Sequence, residues 1–403
     1  MAVENGYLHK KDIHFSTKAI HVGSEAEQWT SMSVVPPISL STTFKQEGPA
    51  QFKQYEYSRS GNPNRTCLQR CLAALDDAKH GLCFASGLGA TTALVSLLQA
   101  GDHILSVDDI YGGTGRYFRN IAARFNISTS FVCAVDPDKF CSHIQPNTKM
   151  VWMESPTNPL MKIFDIPRLV SLVKARNKDI IFVVDNTFLT SYFQKPLALG
   201  ADVVIYSVTK YINGHSDVVM GAVTLNNDEL HERLKFNQNA TGIVPSPFDC
   251  YLVMRSLKTL KLRMDQHMKS SLAVGAFLEA HPLIEKVLHP GLPSHPQHEV
   301  AKRIWSGCSG MLSFYVRGGL DETTAFLRAL KVITLAESLG GYESLADHPE
   351  LMTHASVPAD VRKELGITSN LIRLSVGLES IEDLINDLDK ALKAMKNHKS
   401  DEK

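Results

Sequence analysis

Between about residue 64 and residue 225, short apolar runs alternate with segments of helical period. The runs are Gly81–Ala85, His103–Val107, Ser130–Cys133, Met150–Met153, Ile180–Val184, Val203–Tyr206 and Met220–Leu225. The helical segments between them include Cys67–Ala78, Gly89–Ala100, Arg116–Phe125 and Ile166–Ala175. Short strands without polar alternation, spaced by helices, predict an α/β fold. Its centre is a mainly parallel seven-stranded sheet with helices on both faces. Ligands of such sheets sit beyond the carboxyl ends of the strands. That rim collects Ser86–Leu88, Asp108–Tyr111, Glu154–Asn158, Asp185 and Ser207–Lys210. An ordinary loop accounts for any one of these, but less easily for five polar clusters that each follow a strand.

A chain of 403 residues exceeds one ordinary core. Residues 1–60 hold few periodic segments and read as an arm that packs on another domain or subunit, because such a segment alone buries too little to stay ordered. Residues 61–260 form the large domain and residues 261–403 a smaller C-terminal α+β domain. One long helix is predicted from Pro245 through Leu283. Strands follow at Gly310–Val316, Val332–Leu335 and Leu371–Val376, then an amphipathic helix over 380–396. The polar tail 397–403 reads as disordered.

The 42 basic and 42 acidic residues balance, so no basic field is left for nucleic acid or an anionic membrane. The first ten residues lack a signal-peptide apolar run, and no stretch is long enough to span a bilayer. Seven scattered cysteines without a C-x-x-C pair fit reduced thiols and a cytoplasmic location. No metal is expected: His295 and His298 flank Pro296 and lack further ligands.

Within the rim, Lys210 follows the hydroxyls of Ser207 and Thr209. A buried lysine is costly unless used, and the commonest use is an imine with a carbonyl such as that of pyridoxal phosphate. The hydroxyls suit the phosphate, though on these four residues alone a solvated lysine at a loop edge is the favoured reading. The loop from Ser86 through Gly87, Leu88 and Gly89 opens a helix, where free amides face an anion. As a dinucleotide fingerprint it is poor, since Thr92 stands at the third glycine position. Asp185 ends a buried strand and needs a cation, either a pyridinium nitrogen or a structural partner. Tyr111 has the face to stack on a ring, or simply packs. Arg373 interrupts an apolar strand and suits a substrate carboxylate, with solvent as the alternative.

The chain resembles the Cys/Met-metabolism family of fold-type-I, transferase-like PLP enzymes. The motifs are Asp202–Ser216 around Lys210, Tyr57–Pro63, Ser86–Leu88, Tyr111–Thr114, Ser155–Pro159, Val184–Thr187, Leu335–Gly341 and Met352–Ser356, all in order. The resemblance implies that Lys210 carries pyridoxal 5'-phosphate, that Asp185 pairs its ring nitrogen and that Tyr111 stacks on the ring. Ser86, Gly87, Leu88, Ser207 and Thr209 would bind the phosphate, joined by Tyr57 and Arg59 of a neighbouring subunit. Arg373 would clamp the substrate carboxylate with Asn158 and Ser338, and Glu56, Arg116 and Glu337 would line the distal pocket. Lys210 and Tyr111 would be catalytic. The implied reaction is α,γ-elimination of L-cystathionine to cysteine, 2-oxobutanoate and ammonia, with hydrogen sulfide from cysteine or homocysteine as a side product. The implied assembly is a homotetramer of active dimers. Gly113 and Glu337 depart from the pattern of the methionine-cleaving members. The alternatives are γ-replacement on an O-acylhomoserine, or a non-catalytic relative that kept the fold for binding.

Overall fold

The computed structural model describes residues 13–355 and 357–401. Ser356, the end of one motif, residues 1–12 of the arm and the last two residues of the tail lie outside them. The strands are β1 (His80–Phe84), β2 (His103–Val107), β3 (Ser128–Val132), β4 (Thr148–Glu154), β5 (Ile181–Asp185), β6 (Val203–Ser207), β7 (Gly221–Leu225), β8 (Ile284–Leu288), β9 (Met311–Val316), β10 (Thr334–Leu335), β11 (Leu345–Asp347) and β12 (Leu371–Ser375). All seven predicted rim strands are present. Contacts divide the chain into two units, Met1–Leu98 with Asp202–Lys261 and Gln99–Ala201 with Leu262–Lys403.

In the first unit, β7 lies between β1 and β6 and is antiparallel to both. The expected mainly parallel sheet leaves the direction of β7 open. A parallel return needs a crossover of about a dozen residues, usually a helix. The segment 208–220 holds turns but no helix, so the chain folds straight back. Helix Pro63–Leu75 packs on β1 and on helix Pro247–Leu257. Asn62 caps the former, accepting from Asn64 N and Arg65 N, with Pro63 at its first position.

The predicted helix 245–283 is two helices, Pro247–Leu257 and Leu260–Ala280. Tightened bonds from Lys258 N to the carbonyls of Arg255 and Ser256 close the first. The Lys258 ammonium is meanwhile drawn to the carbonyls of Ala19 and Ile20, at 3.1 and 2.6 Å, and to Ser24 Oγ at 2.8 Å. These tertiary bonds have no local sequence signal.

In the second unit the order β5-β4-β2-β3 is parallel throughout. β2 is buried along its whole length, as a covered parallel strand should be. A second sheet runs β10-β11-β12-β9-β8. Strand periodicity decides its faces. Leu312, Phe314 and Val316 of β9 and Ile372 and Leu374 of β12 enter a core with Phe326, Leu384, Leu388 and Leu392 of two helices. Arg373 and Ser313, at alternate positions, take the other face and stand as register partners. The terminal helix runs Ile381–Asp401, beyond the predicted end at 396. Nothing in Asn397–Asp401 is a glycine or proline that would stop it. Sequence reading did not identify β8 and β11.

Candidate active site: a lysine turn, a phosphate cradle and a buried carboxylate group

In the first unit, β6 ends at Ser207 and the chain turns through Lys210, which is half-buried. Thr209 N donates to Met220 O at 3.2 Å, and Met220 N donates to Thr209 Oγ1 at 3.0 Å. Asn213 N bonds Val208 O at 2.9 Å, and Gly214 N bonds Lys210 O at 2.7 Å. The fully buried Asn213 also donates to Asp217 at 2.8 Å and accepts from Ser256 Oγ at 3.3 Å. The backbone carrying Lys210 is therefore held from several sides.

On the same unit Ser86 caps helix Gly87–Val95, its Oγ accepting from Gly89 N at 2.9 Å. The N–H groups of Gly87 and Leu88 are left out of the helix ladder. A methyl on Gly87 would sit 3.3 Å from Ser207 Cβ, so the helix start lies against Ser207. A methyl on Gly221 would lie 2.2 Å from Ser86 O, so only glycine lets β7 approach this loop. Two unused amides, the Ser86 and Ser207 hydroxyls and a nearby lysine are the donor set an anion needs. These residues fit the phosphate of pyridoxal phosphate. Glu56, Tyr57 and Arg59 are exposed. The Arg59 guanidinium lies 5.4 Å from the Tyr57 ring centre, and its Nε donates to Asn239 Oδ1 at 3.2 Å. No hydrogen bond joins these three to Ser86, Ser207 or Lys210 among the described residues.

In the second unit, Glu154 and Asp185 end β4 and β5 and are register partners across the ladder. Asp185 Oδ1 accepts from Thr187 N at 3.0 Å and Thr187 Oγ1 at 2.5 Å. Burial pushes the Asp185 carboxyl up to about 6, against the pull of the two Thr187 donors. A pyridinium nitrogen is the kind of cation such a carboxylate lacks. Glu154 Oε2 accepts from Tyr111 N at 2.9 Å. Tyr111 precedes helix Gly112–Asn120 as its N-cap and is 43% exposed as a residue. A methyl on Gly113 would meet the Tyr111 ring at 2.4 Å, so glycine lets the ring lie back over the helix.

Arg373 is almost fully buried on β12. Its Nη1 donates to Asn158 Oδ1 at 3.0 Å, and its Nη2 donates to Ser338 O at 2.9 Å and to Asp347 Oδ2. Arg373, Asn158 and Ser338 are therefore together, as the sequence suggests. Solvent, the other reading of Arg373, is excluded. Ser338 itself takes φ +88°, a left-handed value uncommon outside glycine. Asp347 faces Arg373 across the β11–β12 ladder, and its Oδ1 is buried without a partner. His354 Nε2 bonds the Asn158 carbonyl at 3.0 Å, and burial lowers its imidazole to about 4, so it is neutral at pH 7. Arg116 and Glu337 are exposed, and no hydrogen bond or ion pair joins them.

Sequence reading assigned no role to Thr187, Asp347, His354 or Glu154. Glu154 carried a readable signal, since it closes an apolar run just as Asp185 does. Asp347 carried none, because only strand pairing sets it against Arg373. No cluster of His, Cys, Asp and Glu that could hold a metal ion occurs among the described residues.

Residues 16–393 match the family model described as Cys/Met metabolism PLP-dependent enzyme. A cystathionine gamma-lyase of Sus scrofa is 60% identical over 381 residues, 94% of each chain. The structure of a cystathionine gamma-lyase from Lactobacillus plantarum, complexed with L-serine, superposes with a TM-score of 0.92 at 39% identity, covering 95% of this chain and 100% of that one. A cystathionine gamma synthase from Xanthomonas oryzae pv. oryzae, in complex with cystathionine, has the same TM-score at 40% identity, covering 96% and 99%. With the lysine turn, the anion cradle and the buried carboxylate in place, these matches make the chain a member of the Cys/Met-metabolism family of PLP-dependent enzymes.

Proposed function

We propose that the chain cleaves L-cystathionine by α,γ-elimination, giving L-cysteine, 2-oxobutanoate and ammonia, with hydrogen sulfide released from cysteine or homocysteine as a side activity. The observation carrying this reading is the 60% identity, over 94% of each chain, to the Sus scrofa cystathionine gamma-lyase; the superposed lyase and synthase structures, at 39% and 40%, favour neither reaction. Bound pyridoxal phosphate supplies an aldehyde carbon for an amine and a cationic ring that draws electrons from the substrate α-carbon.

The chain's own residues do the rest. Lys210 would hold the cofactor through Nζ, and the same nitrogen, when free, would take the Cα proton of the substrate. Ser86, Gly87, Leu88, Ser207 and Thr209 bind the phosphate, and Asp185 holds the ring nitrogen in its cationic form. Arg373 and Asn158 orient the substrate α-carboxylate, with Ser338 fixing the guanidinium. The Tyr111 hydroxyl serves either the incoming amine or the departing sulfur. A second proton leaves Cβ, the electron pair of that bond expels the γ-sulfur as the Cγ–S bond breaks, and sulfur takes up a proton to leave as cysteine. The remaining four-carbon unit takes up water and yields 2-oxobutanoate and ammonia. Glu56, Arg116 and Glu337 recognise the distal end of the substrate.

We also read residues 61–260 as the cofactor-binding domain, residues 261–403 as the smaller domain and residues 1–60 as an arm serving another subunit, in a homotetramer of active dimers. Val34, Val35 and Leu40 are exposed by 83, 60 and 65%, apolar surface that a neighbour would cover. Tyr57 and Arg59 are then free to complete a partner's phosphate site. All seven cysteines are free, which supports a cytoplasmic setting, and no described helix is long and apolar enough to cross a membrane. Purified protein given cystathionine, then O-succinylhomoserine with cysteine, decides the reaction. Faster turnover of the second pair would make γ-replacement the function.

A further inference from the structure

Within the second unit, Glu154 at the end of β4 feels the charges of Asp185 and Asp109, with Asp108 acting on Asp109 and Asp347 paired to Arg373. Lys162 and Arg373 act among them, and His348 acts on Asp347. Lys162 is paired with Asp108 at 3.1 Å, and Arg373 with Asp347. Asp109 instead takes the Thr157 hydroxyl and the Leu160 amide, the latter at 3.3 Å. Glu154 and Asp185 remain side by side on adjacent strands. Two carboxylates that share a site do not both ionise readily, and their surroundings decide which keeps the charge.

The surroundings here are unequal. Asp185 takes two donors from Thr187, both on one oxygen. Glu154, only 5% exposed, takes a single backbone donor, that of Tyr111. We propose that Glu154 is a positioning residue of the cofactor site, a neutral carboxyl that tethers the Tyr111 backbone and leaves Asp185 the sole anion of the pair. The proposal rests on the reading that Asp185 pairs the cofactor ring nitrogen. Burial, and then the charge of Asp185, hold the Glu154 carboxyl well above its ordinary range. Asp109 pushes the same way, and the Tyr111 amide and Arg373 oppose. A neutral Glu154 gives the pyridinium one counter-charge, and the tether holds the start of the helix from which Tyr111 reaches the ring.

Infrared difference spectroscopy of the holoenzyme at pH 7 tests this without any substitution. The carbonyl stretch of a protonated carboxylic acid should shift in protein carrying ¹³C-glutamate and stay in place with ¹³C-aspartate. A band that follows the aspartate label, or no such band, overturns the proposal. In the second arm, Glu154→Gln keeps an acceptor for Tyr111 and mimics the neutral acid. It should hold pyridoxal phosphate within about threefold of the parent, whereas Asp185→Asn should weaken it at least about tenfold. Equal weakening in both variants means that Glu154 carries charge, which also overturns the proposal. Unchanged affinity in Asp185→Asn strikes instead at the pairing of Asp185 with the ring.

Discussion

Lys210 has neighbours that are also its neighbours in sequence, Ser207 and Thr209, and so it could be found by reading along the chain. The cradle at Ser86–Leu88 is equally local, a cap followed by a helix start. Lys210→Ala should abolish the visible absorbance of bound cofactor and all turnover, and full activity in that variant would remove the assignment. Asp185 yields a prediction about pH. Burial pushes its carboxyl up to about 6, and only the ionised form pairs with a cationic ring. Cofactor affinity should therefore hold above about pH 6 and fall as pH drops through it, by up to about tenfold per unit. Fluorescence titration of the apoprotein with pyridoxal phosphate measures this, and the slope should vanish in Asp185→Asn. Arg373 was legible as an arginine out of place, but its counter-ion was not. Asp347 lies 26 residues earlier and meets it only through the β11–β12 pairing.

Elements were read best where a periodic pattern met a cap. Helix Ile166–Arg176 starts at the predicted residue because Asp165 caps it, accepting from Arg168 N, with Pro167 in its first turn. The single long helix from Pro245 is instead interrupted after Leu257, where the Lys258 amide bonds back to Arg255 and Ser256 while its ammonium reaches the carbonyls of Ala19 and Ile20. Two elements carry sharp predictions. Asp387, on the terminal helix, accepts from the amides of Lys331, Val332 and Ile333, which lead into β10. Asp387→Ala would leave the buried Ile333 amide unpaired, and return the amides of exposed Lys331 and Val332 to water, and should cost about 1–3 kcal/mol in urea unfolding. A loss below about 0.5 kcal/mol would show that water replaces the carboxylate. Gly221→Ala forces a methyl against the Ser86 carbonyl, so cofactor affinity should fall at least about tenfold while the C-terminal sheet stays folded by hydrogen exchange. Unaltered affinity would mean that the cradle tolerates the shift.

For the whole molecule, the exposed apolar arm predicts assembly. Sedimentation should give a mass near four times the 44.6 kDa chain, and Val34→Asp with Val35→Asp should shift it downward with loss of bound cofactor. A monodisperse monomer that keeps cofactor would refute the role of the arm. The sequence by itself determined the class of sheet, the rim strands and the lysine turn, because strand burial, helix period and caps act over a few residues. Tertiary structure alone decided that β7 runs antiparallel, that Asp347 faces Arg373 and that Glu154 stands beside Asp185. Each of these depends on which strands pair and in what register, and that is settled by burial and hydrogen bonding between segments far apart in the chain.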